Sequence, residues 1–167
     1  MGATLMAEWL THVLFAYVLA TLLSWRYPWI TPQYVTIAMI GSIVPDLNRM
    51  ELVISEHTVE TALGIPFSWS PLHVLSGSFV VVIIGALLVG SRQRTRVFAL
   101  LVFGMISHHA LDLLLISLSG HSYSVLWPLT QHVPPTPGIY LSTDRWPGAL
   151  ALVVSVIVRV IDRQRES

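Results

Sequence analysis

Five apolar blocks separated by short polar links dominate the chain. Trp9 to Trp25 runs for 17 residues and Pro71 to Gly90 for 20, both without a formal charge; Val97 to Ser119 runs for 23 with Asp112 as its one charge. Crossing a hydrocarbon core of about 30 Å takes about 20 apolar residues in a helix, so these three blocks predict membrane-spanning helices. Two shorter blocks, Trp29 or Tyr34 to Pro45 and Pro147 to Ile161, predict two further helices that either span or lie re-entrant within the bundle. Arg159 stands close enough to the end of the last block to snorkel towards water. The expected fold is all-α: a polytopic membrane helix bundle of about five transmembrane helices, forming one integral-membrane domain over residues 1–167. No basic residue precedes the first block and Glu8 stands at its start, unlike a cleavable signal sequence, so the first helix is expected to stay. Leu52 to Leu63, with Glu56 and Glu60 among apolar positions, reads as a short interfacial helix acting as a lid or as a plain connecting loop.

Composition narrows the function classes. Of the 167 residues, 54% are apolar and 11% charged, against about 25% charged in an average soluble domain. The formal net charge of zero argues against a nucleic-acid partner, which demands a basic surplus to neutralise phosphates. The absence of cysteine excludes disulfides, thiolate nucleophiles and cysteine-ligated zinc. The chain also has no lysine, so orientation rests on arginine. Arg92, Arg94 and Arg96 lie between the third and fourth blocks, Arg159, Arg163 and Arg165 at the carboxy-terminal end, and Arg26 after the first block. The positive-inside rule then places the amino terminus outside and the carboxy terminus inside, and an odd number of spans satisfies every loop.

On that frame the polar residues gather towards the outer face. His12 lies three residues into the first block, about 4.5 Å along a helix. Asp46 follows Pro45 at the end of the second. His73 opens the third, after Ser70-Pro71, which reads as an N-cap followed by proline at the first helical position. His108 and Asp112 are four residues apart in the fourth and share a helical face. Taken singly, His12 could be a packed histidine, Asp46 a loop cap and His73 a first-turn residue. Asp112 is harder to explain, because a carboxylate within a bilayer costs at least about 2.5–3.5 kcal/mol and takes a partner. Together, His12, Asp46, His73, His108 and Asp112 suit a divalent metal, with zinc first and manganese or iron as alternatives, since imidazole and carboxylate are the ligands left when thiols are absent. Glu8 could add a further ligand or a base. His109, turned about 100° from His108, reads as a supporting or packing residue. Gly77, Gly85 and Gly104 read as points of close helix contact.

At these residues the chain resembles a known family, the YdjM-like predicted membrane-bound metal-dependent hydrolases. The matching stretches are THVLFAY (11–17), GSIVPDLN (41–48), SPLHVLSGS (70–78), GMISHHALDLLL (104–115) and VLWPLT (125–130). They cover most of the chain up to Thr130; each is short, and the order of all five is the specific signal. PPTPGIYLSTDRWPG (134–148) looks like the haloarchaeal branch of that family. The chain departs from the pattern in two places. Asn48 stands where many members carry a second acid, and Ser68-Trp69 where a His-Arg pair often precedes the third-block histidine; both bear on the number of metals and on catalysis.

The resemblance implies metal-assisted hydrolysis of an ester or phosphoester, with a lipid-like substrate as one possibility, in a multi-pass protein of the cell membrane in contact with membrane lipids. A cation with an open position lowers the pKa of water towards about 7 and polarises the ester oxygen. Asp46, expected to be the acid nearest water, is the candidate general base. Two other classes stay open: a non-catalytic protein with a structural metal, and a small proton or cation transporter using His108 and Asp112.

Overall fold

A computed structural model describes residues 2–116 and 120–166, with side chains described from Trp9 onward as far as Arg165. Among these residues six α-helices follow one another: α1 (Gly2–Ser24), α2 (Pro32–Gly41), α3 (Glu56–Leu63), α4 (Leu75–Leu87), α5 (Ser91–Asp112) and α6 (Trp146–Glu166). Two 3-10 segments, Val44–Leu52 and Ser70–His73, precede α3 and α4. The all-α expectation holds.

Local chemistry explains several boundaries. α2 begins with Pro32 at its first position, after Thr31 in extended conformation, where a missing N–H costs nothing. In α3 the Ser55 side chain accepts the Thr58 N–H at 3.2 Å, and Gly64 ends the helix in the left-handed region at φ 70°, which glycine adopts without strain. The interfacial-helix reading of Leu52 to Leu63 thus corresponds to a short helix, beginning four residues later.

α5 is the centre of the packing, touching α1, α2 and α4. Its buried positions Val97, Leu101, Met105, His108 and Asp112 recur at helical spacing along one stripe. The apolar part of the stripe meets Val44 and Val82 in one core cluster; on the neighbouring face Leu100 joins Ala20, Ile30, Val35 and Ala38 in another. The same stripe turns polar in its last two turns, so the packing that buries Leu101 also buries His108.

Glycine sets the α2–α5 distance. A Cβ on Gly104 would fall against the Ala38 carbonyl oxygen, the Ser42 nitrogen and the Gly41 backbone. Gly77 plays the same part where Pro71 folds back on α4. Gly85 meets only the Leu101 side chain at ordinary contact distance, so the expectation of close helix contact applies at Gly104, while Gly77 instead makes room for the turn before its own helix.

The lengths differ from the expected spans. Among the described residues no helix is long and apolar enough to cross a membrane. α2 has 10 residues and α4 has 13, about 15 and 20 Å of helix. The third block does not run as one helix from Ser70: Ser70 is a member of a 3-10 turn whose side chain caps nothing, Val74 is extended, and α4 starts at Leu75. Ser78 Oγ donates to the Leu72 carbonyl at 2.7 Å and holds that break. The fourth block is shifted. α5 takes in Arg92, Arg94 and Arg96 at its start and stops at Asp112, where Leu114 and Ile116 pair with the returning strand of loop instead, through Ile139 N–H to Leu114 O at 2.9 Å and Ile116 N–H to Tyr140 O at 2.7 Å. Residues 117–119 at the end of that block, and the Glu8 side chain, lie outside the described residues.

Candidate metal centre

The five sequence candidates come together. Asp112, on the last turn of α5, is the hub: its Oδ1 lies 3.3 Å from His12 Nε2, and its Oδ2 lies 3.0 Å from His73 Nε2 and 3.2 Å from His108 Nε2. His73 Nδ1 stands 3.8 Å from Asp46 Oδ1. His12, His108 and Asp112 each offer a ligand atom within 4.8 Å of the others, as do Asp46, His73 and His108. The His12 and His108 rings stack with centroids 3.9 Å apart. All are buried except His73, which is half-buried.

Each contributor has a structural reason to be there. His12 rides on α1, and His108 and Asp112 on one face of α5. The close α2–α5 contact at Gly104 brings the end of α2 onto α5, so that His108 Nδ1 donates to the Ser42 carbonyl at 2.7 Å. The 3-10 turn after α2 buries Asp46, and the one before α4 aims His73, whose Nδ1 donates to the Pro45 carbonyl at 3.1 Å.

These two carbonyls decide the chemistry. A carbonyl only accepts, so the Nδ1 atoms of His73 and His108 carry protons, and in the neutral form of each ring the lone pair is left at Nε2. Both lone pairs converge on a carboxylate oxygen that is itself only an acceptor. Correspondingly, His108 Nε2 and Asp112 Oδ2 are buried without a hydrogen-bond partner, as is His12 Nδ1. Buried acceptors facing one another are unstable unless a proton or a cation lies among them. Two ligands about 2.0–2.2 Å from a tetrahedral ion stand about 3.3–3.6 Å apart, slightly longer than the 3.0–3.3 Å nitrogen–oxygen separations here. Backbone carbonyls fixing the far nitrogen of an imidazole are also the usual support of a metal-binding histidine. The residues present therefore fit a divalent cation.

Sequence reasoning missed three supports. Arg49 Nε donates to Asp46 Oδ1 at 3.0 Å. Tyr123, from the loop after α5, meets His109 Nδ1 at 2.7 Å through its hydroxyl and also engages the Asp112 carboxylate. Burial pushes the Tyr123 phenol up, with the Asp112 charge adding to it, so it stays a proton donor. Third are the Ser42 and Pro45 carbonyls. Arg49, three residues after Asp46, was open to reading as an i,i+3 partner; the other two carry no local signal, since backbone carbonyls have no residue type and Tyr123 stands in an aperiodic loop. Asp46 is not the acid nearest water; it is 4% exposed. Asn48 Oδ1 is buried without a partner. Ser68 lies away from the cluster, exposed, donating to Glu56 Oε1 at 2.7 Å. A cavity of about 440 Å³ leads to the centre, lined by His12, His73, Asp112, Arg49, His121 and Tyr123.

Fold and site together define an all-helical protein with a buried His/Asp cluster that could hold a metal ion. Over residues 6–166 the chain matches the family described as YdjM inner membrane protein. It belongs to that family, and the match extends past Thr130 to nearly the whole chain. No curated protein and no solved structure matches it.

Proposed function

We propose that the chain is a membrane-embedded, metal-dependent hydrolase acting on an ester or phosphoester. The observation that carries this reading is the convergence of three imidazole Nε2 atoms on the buried Asp112 carboxylate, with two of the imidazoles fixed from behind by carbonyls. His12, His73, His108 and Asp112 would hold the cation, with Asp46 completing the set beside His73; zinc suits the donors, and manganese or iron are the alternatives. When bound, a divalent cation supplies Lewis-acid activation of water and of the ester oxygen. Arg49 at the cavity offers a cationic donor, and His121 a further ring nitrogen, to a phosphoester oxygen. Tyr123 holds a proton within reach of Asp112 and of the cavity, suited to a leaving oxygen. Asp46, bound by Arg49 and buried, is poorly placed to take a proton from solvent, so its role here is that of a ligand beside His73 rather than of a general base.

Support for a multi-pass arrangement comes from the outward faces. Phe79, Val80, Ile83, Ile84 and Leu87 on α4, Leu88 just after it, and Leu152, Val153, Val156 and Ile157 on α6, are exposed, a larger apolar surface than a water-soluble monomer keeps. α2 and α4 would cross with the help of their adjoining 3-10 segments, as non-helical backbone is tolerated at membrane depth where protein covers it. The amino terminus is assigned to the outside and the carboxy terminus to the inside. Hydrolysis of chromogenic phosphodiester and carboxylic ester substrates by detergent-purified protein tests the activity. Turnover abolished by a chelator, restored by zinc or manganese and absent in Asp112→Asn supports it; full metal loading without turnover of either class supports a structural metal instead and refutes hydrolysis of these esters.

A further inference from the structure

A second polar cavity lies towards the opposite end of α1 from the His/Asp cluster. Thr21 is nine residues beyond His12, about 13 Å along the helix. The cavity, about 560 Å³ between α1, α2 and α6, is lined in part by Thr21, Trp25, Arg159, Asp162 and Arg165. Trp25 Nε1 donates to Asp162 Oδ1 at 2.9 Å, and Arg159 Nη1 donates to Asp162 Oδ2 at 3.3 Å. The Arg165 guanidinium lies 4.9 Å from the centre of a Trp25 ring. Both oxygens of the one carboxylate are thus engaged, and two guanidiniums face it, so the cavity carries net positive charge. Thr21 adds an independent observation: it is 3% exposed, and its Oγ1 is buried with no hydrogen-bond partner. A helical threonine usually returns its hydroxyl to the carbonyl one turn back; this one does not, and it lines the cavity.

We propose that this cavity binds a phosphate group, supplied either by the headgroup of an anionic phospholipid or by free phosphate. Guanidinium forks recognise phosphate oxygens through charge-assisted hydrogen bonds, the Thr21 hydroxyl supplies a neutral donor, and Trp25 forms an apolar wall. The site is separate from the metal centre and does not depend on hydrolysis. The test is native mass spectrometry of the full-length detergent-purified protein titrated with short-chain phosphatidylglycerol and with inorganic phosphate. Binding of either is expected, weakened about tenfold or more in Arg159→Gln and in Arg165→Gln, the size of one charge-assisted hydrogen bond. Thr21→Val keeps the shape of the side chain, and its binding is expected to fall by a smaller factor of about 3–10. Metal content should match the parent in all three, which separates this site from the cluster. Tighter phosphatidylglycerol binding assigns the lipid source, and tighter phosphate binding the free anion. Failure of the folded parent to bind either, or undiminished binding in the Arg159→Gln/Arg165→Gln pair, overturns the proposal.

Discussion

Replacing Gly104 by alanine tests whether the α2–α5 contact builds the site. The new Cβ would meet the Ala38 carbonyl oxygen, come within 2.7 Å of the Ser42 nitrogen and 2.9 Å of the Gly41 carbonyl carbon. All three are backbone atoms, so no side chain can swing aside and the helices must part by about an ångström or more to restore an ordinary contact with the Ala38 oxygen. Overpacking of this kind costs about 1–3 kcal/mol where side chains can yield and more where they cannot; alanine returns about 1 kcal/mol of helix propensity. A net loss of about 2 kcal/mol lowers Tm by about 4–8 °C in a chain of this size. The same displacement lengthens the 2.7 Å bond from His108 Nδ1 to the Ser42 carbonyl, so bound metal should fall as well. Gly85→Ala is the control, because its Cβ meets only Leu101 Cδ1 at 3.4 Å; it should leave Tm unchanged or raise it by the propensity gain. Thermal unfolding followed by circular dichroism, with metal analysis of both variants, reads the outcome. A Gly104→Ala protein as stable as the parent, or an equal loss in Gly85→Ala, refutes the reasoning.

Tyr123→Phe removes the hydroxyl that meets His109 Nδ1; an unsatisfied buried nitrogen costs about 1–3 kcal/mol, so Tm should drop by several degrees while metal content stays, and an unchanged Tm contradicts that role. Arg49→Gln should raise KM for a phosphodiester more than for a neutral ester, since only the former gains a cation–phosphate contact; equal effects count against the Arg49 assignment. Glu56 accepts from Ser68 Oγ at 2.7 Å and from the Trp69 N–H at 2.8 Å, and these bonds hold its carboxyl below the ordinary value. Its folded pKa being depressed, its contribution is complete above the unfolded value near 4.3 and is lost as pH falls through the folded one. The hydrogen-exchange protection factor of the Trp69 amide should therefore be constant near neutrality and collapse in acid; a factor that stays flat until the whole protein unfolds in acid contradicts the tie.

The helical class was legible because the apolar blocks are long and separated by short polar links. The convergence of His12, Asp46, His73, His108 and Asp112 was legible because His12 and His73 stand near the starts of their blocks and Asp46, His108 and Asp112 towards the ends of theirs, positions that alternating helix direction brings to one side. The lengths were not. Hydropathy cannot see that Gly77 lets Pro71 fold back and split the third block, nor that Leu114 and Ile116 leave α5 to pair with the 139–140 segment. The carbonyls of Ser42 and Pro45 that set the histidine tautomers belong to the backbone and leave no trace in residue type. Asp46 looked accessible beside a proline in a loop; the 3-10 turn buries it under Arg49.

Metal content of the purified protein tests the central claim most directly, measured beside His108→Ala and Asp112→Ala after equal loading with zinc, manganese and iron. Asp112 touches three imidazoles and His108 lies at the overlap of both ligand groups, so tightly bound divalent metal is expected in the parent and at least a tenfold loss of affinity in each variant. No metal in the folded parent, or the same content in both variants, would contradict it.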